Sequence, residues 1–568
     1  MNLEAILLRI ANGENVSSSE LLPHLCLELR EQRANVNLLL AKAYQQTGRK
    51  AGLQQARVFI QRAWLLSRFS RELLPLYLQI HSSLDDIAGI RDAYKRVGMK
   101  MASRGNIREA IRYFNLWQYA YAEFRNLDRY EYDFDILDCM DRLAKPYRFS
   151  PPFRRDVLSD GKIRVAYLVK GINELGSVLV KINLLFARFH DRSRVEPIFF
   201  VPESENSVVE SPVGREHLEL FKSYGCGVRM PKVTAFEKRL LAVGKMINDA
   251  RPDVLITSAV LASFEHYFIT SLRPAPWIIG LVQGPPQQFS SLNLDWGVAW
   301  SKHPLIDTPV SCSLIDMELE LPERNALVPY GRHEVGIPER ALIMASAGRY
   351  VKFQEPEFWK AILDLLADHP QTYYLALGIE ESQIPFLSSM LTAEIRSRIR
   401  FLGWQGKEYL RSLCLADIFI DTFPSGGGAT LIDAIALGIP VLAFKNDYLR
   451  PYDQTDWSPA EEFDMREIVA PRGDFAEMKL MATRLIESED YRRSVARGCQ
   501  EQLRERRSSP ERAVRACEDT YLRVLDQESL AGDRRHTALH WTAGPARQLA
   551  NVLRRVERML DRIAEKKG

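Results

Sequence analysis

Apolar residues recur along the chain at two different spacings, and the spacing changes near residue 160. Up to about residue 145 they follow the helical period: Val36, Leu40 and Ala43 precede a break at Gly48, and Gln54 to Leu66 follows as a second helix. The same pattern returns farther on, with a helix from Asp92 to Ser103, a turn at Gly105 and a helix from Ile107 to Ala120.

Paired helices joined by a glycine turn are typical of tetratricopeptide-like repeats, although the spacing of the breaks departs from that repeat length. We therefore predict a helical-repeat domain over 1–146. Such a domain offers a surface for a protein partner or acceptor, and its alternative role is only to brace the rest of the chain.

After a linker that contains Pro151 and Pro152, the pattern changes to short apolar runs alternating with amphipathic stretches. In the first group the predicted strands are Ile163–Val169, Val195–Val201, Val254–Thr257 and Trp277–Val282. In the second they are Leu342–Ala347, Tyr373–Leu377, Ile399–Leu402, Ile418–Ile420, Val441–Phe444 and Ile468–Pro471. Strands that alternate with helices predict doubly wound parallel sheets. The predicted fold is thus α/β, with Rossmann-like halves at 160–305 and 335–525 after the all-α domain.

The stretch from Asp421 to Asp433 reads as the end of a strand, a glycine-rich loop and a helix. Gly426, Gly427 and Gly428 leave no Cβ atoms above their backbone N–H groups, and a helix N-terminus follows directly. Unpaired N–H groups and the positive end of the helix dipole attract anions. Asp433, about one turn into the helix, is placed to accept hydrogen bonds from ribose hydroxyls beyond a bound phosphate. The alternative is a tight turn without a ligand.

Composition narrows the class of protein. The 568 residues carry 76 Lys and Arg against 73 Asp and Glu, a formal net charge of +3, so the overall charge indicates no nucleic acid. The seven cysteines are scattered and form no CxxC pair, which indicates reduced thiols and no structural zinc. The N-terminus lacks the features of a secretory signal, and the sequence predicts no transmembrane helix. We expect a cytoplasmic protein.

The last segment, 536–568, is predicted to be an amphipathic helix. Its apolar residues follow a coiled-coil spacing: Leu549, Leu553, Val556, Leu560 and Ile563. The helix either pairs with a second copy of the chain or folds back on its own domain.

Several separated stretches together resemble the protein O-GlcNAc transferases and their bacterial relatives, including cytoplasmic protein N-glucosyltransferases. The matching stretches are Leu272–Pro276 with Gly284–Pro285, Gly348–Lys352, Arg400–Glu408 and Gly427–Pro440. The resemblance spans roughly residues 160 to 520 in the family's order. It implies the glycosyltransferase-B fold and a UDP-sugar as donor substrate, with no cofactor and no metal.

The resemblance also implies roles for individual residues. Lys352 matches the lysine that contacts the nucleotide diphosphate, where its charge stabilises the leaving UDP. The remaining implied nucleotide-sugar residues are Arg349, Trp404, Gln405, Lys407, Gly427, Gly428, Ala429, Thr430 and Asp433.

The catalytic base is where the sequence departs from the family. O-GlcNAc transferases carry a histidine in the first loop of the amino-terminal half, and this chain has Lys170–Gly176 there without one. Glu174 in that loop and His266 after a later strand are the candidates for the base. The acceptor therefore stays open between Asn, Ser or Thr of a protein and a carbohydrate hydroxyl.

The function that the sequence predicts is inverting, metal-independent transfer of a hexose or N-acetylhexosamine to a protein side chain. A glycan or lipid-linked acceptor is the first alternative, and a catalytically silent helical-repeat scaffold is the second. A retaining transferase is disfavoured, because Ser425 stands where similar folds carry a glutamate.

Overall fold

The structure is a computed structural model of the chain. It describes residues 2–125, 133–149, 161–257, 263–282, 293–299, 312–315, 320–424, 426, 428–445, 468–506 and 509–526. The predicted C-terminal helix at 536–568, the Gly284–Pro285 motif, Ser425, Gly427 and the side chain of Lys407 lie outside the described part. Within these ranges no helix is long and apolar enough to cross a membrane.

The amino-terminal region is all helical, as predicted. Its helices are α1 (Leu3–Ala11), α2 (Ser18–Leu25), α3 (Arg30–Gln46), α4 (Lys50–Leu66), α5 (Leu74–Ser83), α6 (Ile87–Ser103), α7 (Ile107–Arg125) and α8 (Phe134–Ala144). Helix α6 begins five residues earlier than predicted (92 − 87 = 5), because the Asp86 carboxylate caps it by accepting the Gly89 N–H at 2.9 Å. A Cβ at Gly98 would lie 2.5 Å from the Phe114 ring, so α6 and α7 pack too closely for a larger residue.

The first α/β half is built on an entirely parallel sheet in the order β3-β2-β1-β4-β5-β6-β7. Its strands are β1 (Ile163–Leu168), β2 (Val195–Phe200), β3 (Val228–Arg229), β4 (Val254–Thr257), β5 (Trp277–Val282), β6 (Trp296–Ala299) and β7 (Cys312–Leu314). The helices between them are α9 (Val178–Phe189), α10 (Glu205–Glu210), α11 (Pro212–Ser223), α12 (Phe236–Asp249) and α13 (Phe264–Ser271). Residues on one face of the sheet share a hydrophobic core with the amino-terminal helices.

The second half repeats the plan with a parallel sheet in the order β10-β9-β8-β11-β12-β13. Its strands are β8 (Leu342–Ala347), β9 (Thr372–Leu377), β10 (Ile399–Phe401), β11 (Ile418–Ile420), β12 (Val441–Phe444) and β13 (Val469–Ala470). Its helices are α14 (Pro356–Asp368), α15 (Ala393–Arg396), α16 (Tyr409–Leu413), α17 (Ala429–Ala436), α18 (Phe475–Glu487) and α19 (Glu489–Arg506). The predicted α/β class with two doubly wound halves is confirmed.

The last described helix, α20 (Pro510–Asp526), belongs to the core of the first half, although the prediction placed residues up to 525 in the second. Its Glu518 is fully buried and accepts hydrogen bonds from His190 Nδ1 and from the Asp191 N–H, both at 2.8 Å. His190 Nε2 in turn lies 2.6 Å from the hydroxyl of Tyr167 in β1. The chain therefore returns from the second half and is fixed to the first by a buried polar network.

Candidate active site

In the second sheet, β8 and β11 are neighbours whose connections run to opposite sides, which is the position where α/β sheets bind ligands. The loop after β8 carries Lys352, and the loop after β11 carries the glycines. The structure brings them together: Lys352 Nζ donates a hydrogen bond to the Gly426 carbonyl, and Thr430 Oγ1 donates one to the Ala347 carbonyl at 3.2 Å. A fixed positive charge therefore lies against the glycine loop.

Gly428 is the residue before α17 and has φ +56° and ψ −113°, a conformation that residues with a side chain rarely adopt. Among the described residues no side chain caps this helix end, and none has an atom within 4 Å of a Cβ built at Gly428. Ala429 and Thr430 form the first turn. The helix end is thus open to solvent and combines N–H donors with the helix dipole, the combination that binds phosphate.

Asp433 lies on the same helix, beyond this turn. Burial raises the pKa of its carboxyl group to about 6, while the positive charge of Lys181 and the neighbouring Tyr409 hydroxyl oppose the shift. Lys181 belongs to α9 of the first half, so the two halves face each other at this point. The Asp433 carboxyl therefore changes charge close to neutral pH.

The segment that the resemblance assigns to the nucleobase, Arg400–Glu408, lies beside the cleft between the two α/β halves. Trp404 is 58% exposed, and Gln405 is held in place by its side-chain bond to the Leu402 carbonyl. The first loop of the amino-terminal half contacts this segment: a Cβ at Gly406 would lie 2.6 Å from Leu175 Cδ2, and one at Gly176 would lie 3.7 Å from Trp404. Trp404 is therefore a surface residue of the cleft rather than a core residue.

Arg349 is exposed in the same loop as Lys352. It precedes the short 3₁₀ turn Tyr350–Phe353, on which Lys352 lies. The predicted residues of the second half that the structure describes thus come from the loops after β8, β10 and β11, all at one edge of the sheet.

The two candidates for the base lie at the carboxyl edge of the first sheet but differ in environment. Glu174 is exposed, in a turn whose backbone N–H donates to the Gly171 carbonyl at 2.9 Å. His266 is 2% exposed, and burial together with the charge of Lys170 lowers its pKa to about 3. A histidine with so low a pKa is neutral at physiological pH and is a weak base.

A third candidate for the base, an acidic residue that the sequence analysis missed, lies at this edge. Glu203 comes shortly after β2, and burial raises the pKa of its carboxyl group, with the charges of Glu174 and Glu265 adding to the shift and Arg239 opposing it. Its Oε2 atom is buried without a hydrogen-bond partner in the described part of the chain, as are Thr257 Oγ1 and His266 Nδ1. The position of Glu203 just beyond a predicted strand end was the signal that could have found it.

Among the described residues, no group of three or more His, Cys, Asp or Glu side chains is arranged to hold a metal ion. Positive charge near the glycine loop comes from Lys352, from the α17 N-terminus and from Arg472, whose Nη2 donates a hydrogen bond to the Pro424 carbonyl at 3.4 Å.

Solved structures of other proteins share this architecture. No family model matches the sequence. A Lys-to-Met mutant of the Thermobaculum terrenum O-GlcNAc transferase is similar in structure over 92% of this chain and 98% of that one, with a TM-score of 0.53 and 13% identity. The lipopolysaccharide outer core galactosyltransferase WaaB in its apo form aligns over 63% of this chain and 99% of that one, at 13% identity, with a TM-score of 0.43, too low to carry weight.

One curated relative matches in sequence. It is the UDP-N-acetylglucosamine–peptide N-acetylglucosaminyltransferase of Giardia intestinalis, 25% identical over 138 residues. The match covers 23% of this chain and spans only 9% of the relative's length. The likeness to the Thermobaculum terrenum O-GlcNAc transferase over nearly the whole of both chains confirms the predicted fold, a helical region followed by two doubly wound halves.

Proposed function

We propose that the protein transfers a hexose or N-acetylhexosamine from a UDP-sugar to a protein side chain, with inversion at the anomeric carbon and without a metal ion. The observation that carries this proposal is the contact between Lys352 and the glycine loop at the N-terminus of α17. The charge, the loop and the helix end form one anion site with Asp433 beyond it.

In this reaction the acceptor atom attacks the anomeric carbon as the bond from that carbon to the UDP oxygen breaks. Negative charge grows on the diphosphate as it leaves. The ammonium of Lys352, the backbone N–H groups at the start of α17 and the Thr430 hydroxyl are the donors that would stabilise this charge. Asp433 would accept hydrogen bonds from the ribose, and Trp404 with Gln405 and Lys407 would border the uracil.

The acceptor must lose a proton to a base at the carboxyl edge of the first sheet. A base works best when its pKa lies near the working pH. Burial moves the pKa of Glu203 in this direction and moves that of His266 away from it. Glu203 therefore joins Glu174 and His266 as a candidate for the base. We expect Glu203→Gln to lower the rate of transfer more than His266→Asn does.

The amino-terminal helices share a hydrophobic core with the first α/β half, the half that we assign to the acceptor. Helical repeats of this kind offer a surface to proteins, which favours a protein acceptor over a glycan or lipid-linked acceptor. Transfer would take place in the cytoplasm, where we predict the chain to reside. Co-expression with a bacterial host proteome followed by mass spectrometry of intact proteins tests the acceptor class. Hexose or N-acetylhexosamine additions that vanish with Lys352→Ala support the proposal, whereas modification of glycans or lipids alone supports the alternative.

Two further measurements test the remaining parts. Transfer should persist in EDTA, and an obligate requirement for a divalent ion would contradict the metal-independent mechanism. If the protein is a catalytically silent scaffold, it will bind no UDP, and Lys352→Ala will change neither UDP binding nor sugar transfer.

A further inference from the structure

A cavity of about 380 Å³ lies between the amino-terminal helices and the first α/β half. Helix α7 forms one side, and the first turns of α12 and α13 form the other. The apolar part of its lining is Ile111, Leu116 and Phe236, and the polar part includes Asn115, Tyr119 and Glu265. Its size and mainly apolar walls suit one large apolar side chain better than a sugar, which needs a polar partner for each hydroxyl.

Two exposed arginines, Arg108 and Arg112, also line the cavity and lie one helical turn apart on α7. The Arg108 guanidinium has no ion-pair partner among the described residues, whereas Arg112 makes a 3.7 Å contact with Glu109 and lies over the Tyr113 ring, 5.8 Å from its centroid. Glu109 already pairs with Arg71 at 2.7 Å. The outer part of the cavity therefore presents guanidinium N–H groups that remain available to a carboxylate.

The acidic group in the cavity is already satisfied. Both Glu265 oxygens accept hydrogen bonds from Asn115 Nδ2 at 3.2 Å, and Oε2 also accepts one from Ser263 Oγ at 2.8 Å. Glu265 thus holds α13 against α7 and offers little to a cationic ligand. The lining carries two guanidinium groups against this one satisfied carboxylate, and Glu237, which accepts a hydrogen bond from the Arg108 N–H at 3.2 Å, lies outside the lining. The lining itself therefore favours a negative group.

The cavity also adjoins the edge where the acceptor is expected to react. Glu265 is the neighbour of His266, and the Tyr119 hydroxyl accepts a hydrogen bond from Lys170 Nζ at 3.5 Å. Lys170 begins the first loop of the amino-terminal half. A chain bound in the cavity would therefore continue toward the cleft.

We propose that this cavity binds the acceptor polypeptide. An apolar side chain of the acceptor enters between Leu116 and Phe236, and an adjacent Asp or Glu pairs with Arg108 and Arg112. The inference rests on the proposed function, because it names the class of protein segment that the transferase would modify: acidic, with one large apolar residue.

Fluorescence anisotropy of the full-length protein with labelled synthetic peptides tests this without requiring turnover. The probes are a peptide with phenylalanine followed by glutamates, the same peptide with lysines in place of glutamates, and the same peptide with glycine in place of phenylalanine. The first should bind at least about tenfold more tightly than either of the others, a ratio equal to about 1.4 kcal/mol. Arg108→Glu with Arg112→Glu should reverse the preference, so that the lysine peptide binds more tightly than the glutamate peptide.

The matched control is Arg62→Glu with Lys222→Glu, which changes the net charge equally at two exposed positions outside the cavity lining. Equal binding of the acidic and basic peptides, or loss of binding in the control to the same degree, would overturn the inference. So would displacement of the peptide by a neutral oligosaccharide. UDP binding, measured on the same samples, separates the two proposals: intact UDP binding without a peptide preference contradicts only the acceptor site, whereas absent UDP binding contradicts the transferase.

Discussion

The raised pKa of Asp433, together with its proposed contact with the ribose, predicts how strongly nucleoside binding should depend on pH. With a pKa of about 6, the carboxyl group is about nine-tenths ionised at pH 7 and about one-tenth ionised at pH 5. A carboxylate accepts hydrogen bonds from both ribose hydroxyls, and a protonated carboxyl does so less well. The association constant for the nucleoside should therefore fall about tenfold from pH 7 to pH 5.

Uridine is the ligand for this assay, because it lacks the phosphate of UDP, which itself titrates in this range. Isothermal titration calorimetry at a series of pH values should show the fall for the wild type and a flat profile for Asp433→Asn. Lys181→Gln should move the fall to higher pH, because the Lys181 charge holds the pKa of Asp433 down. Lys222→Gln, an exposed lysine on α11, is the control. A flat wild-type profile, or one that Asp433→Asn leaves unchanged, would refute the assignment of Asp433 to the ribose.

The same shift has a consequence for stability. The carboxyl pKa is raised from 3.8 to about 6 in the folded protein, so the folded state binds the proton more tightly. The contribution of Asp433 to the free energy of unfolding is therefore fully present below about pH 4 and is lost as the pH rises through about 6. The free energy of unfolding, measured with urea, should therefore differ between wild type and Asp433→Asn by an amount that changes between about pH 4 and pH 6 and stays constant above that range.

Three substitutions give further tests. Lys352→Ala should lower kcat by about 10²- to 10³-fold, the loss expected for one charged donor at the leaving group. In contrast, Lys360→Ala on the exposed side of α14 should leave steady-state kinetics unchanged. Gly428→Ala should weaken UDP binding in calorimetry, because a side chain is strained by about 1 kcal/mol or more at positive φ; unchanged affinity would argue against the loop as the phosphate site. Glu518→Ala should lower the free energy of urea unfolding by about 3 kcal/mol, because buried donors of His190 and Asp191 lose their acceptor, and an effect no larger than that of Glu511→Ala on the same helix would contradict this.

The apolar pattern predicted the strands well where a run was long and ended in a turn signal. The strands β1, β2, β4, β5, β8, β9, β11 and β12 lie within or next to their predicted ranges. The strands β3, β6 and β7 were not predicted, and β3 and β7 are only two and three residues long, too short to carry a periodicity. The sequence also did not predict which of the two halves α20 packs against. Its apolar stripe shows that it packs, but the partner is chosen by the buried contacts of Glu518 and Tyr521 with the first half.

The residues proposed for the donor side could be selected from the sequence because their pattern is local: glycines, a helix start and a lysine after a strand. Those proposed for the acceptor side could not, because they come from separate strands and helices and lack such a pattern. The cavity beside α7 became visible only when α7, α12 and α13 were brought together. The roles of Lys352, Asp433, Glu174 and His266 remain predictions that the experiments above test.

The central proposal is a UDP-sugar site formed by Lys352 and the glycine loop, and UDP release from a panel of nucleotide sugars tests it most directly. The purified protein should hydrolyse one or more UDP-sugars slowly without an acceptor and in the presence of EDTA, and Lys352→Ala should lose this activity while Lys360→Ala keeps it. Release of nucleotide from none of the UDP-sugars, or equal release by Lys352→Ala, would contradict the proposal.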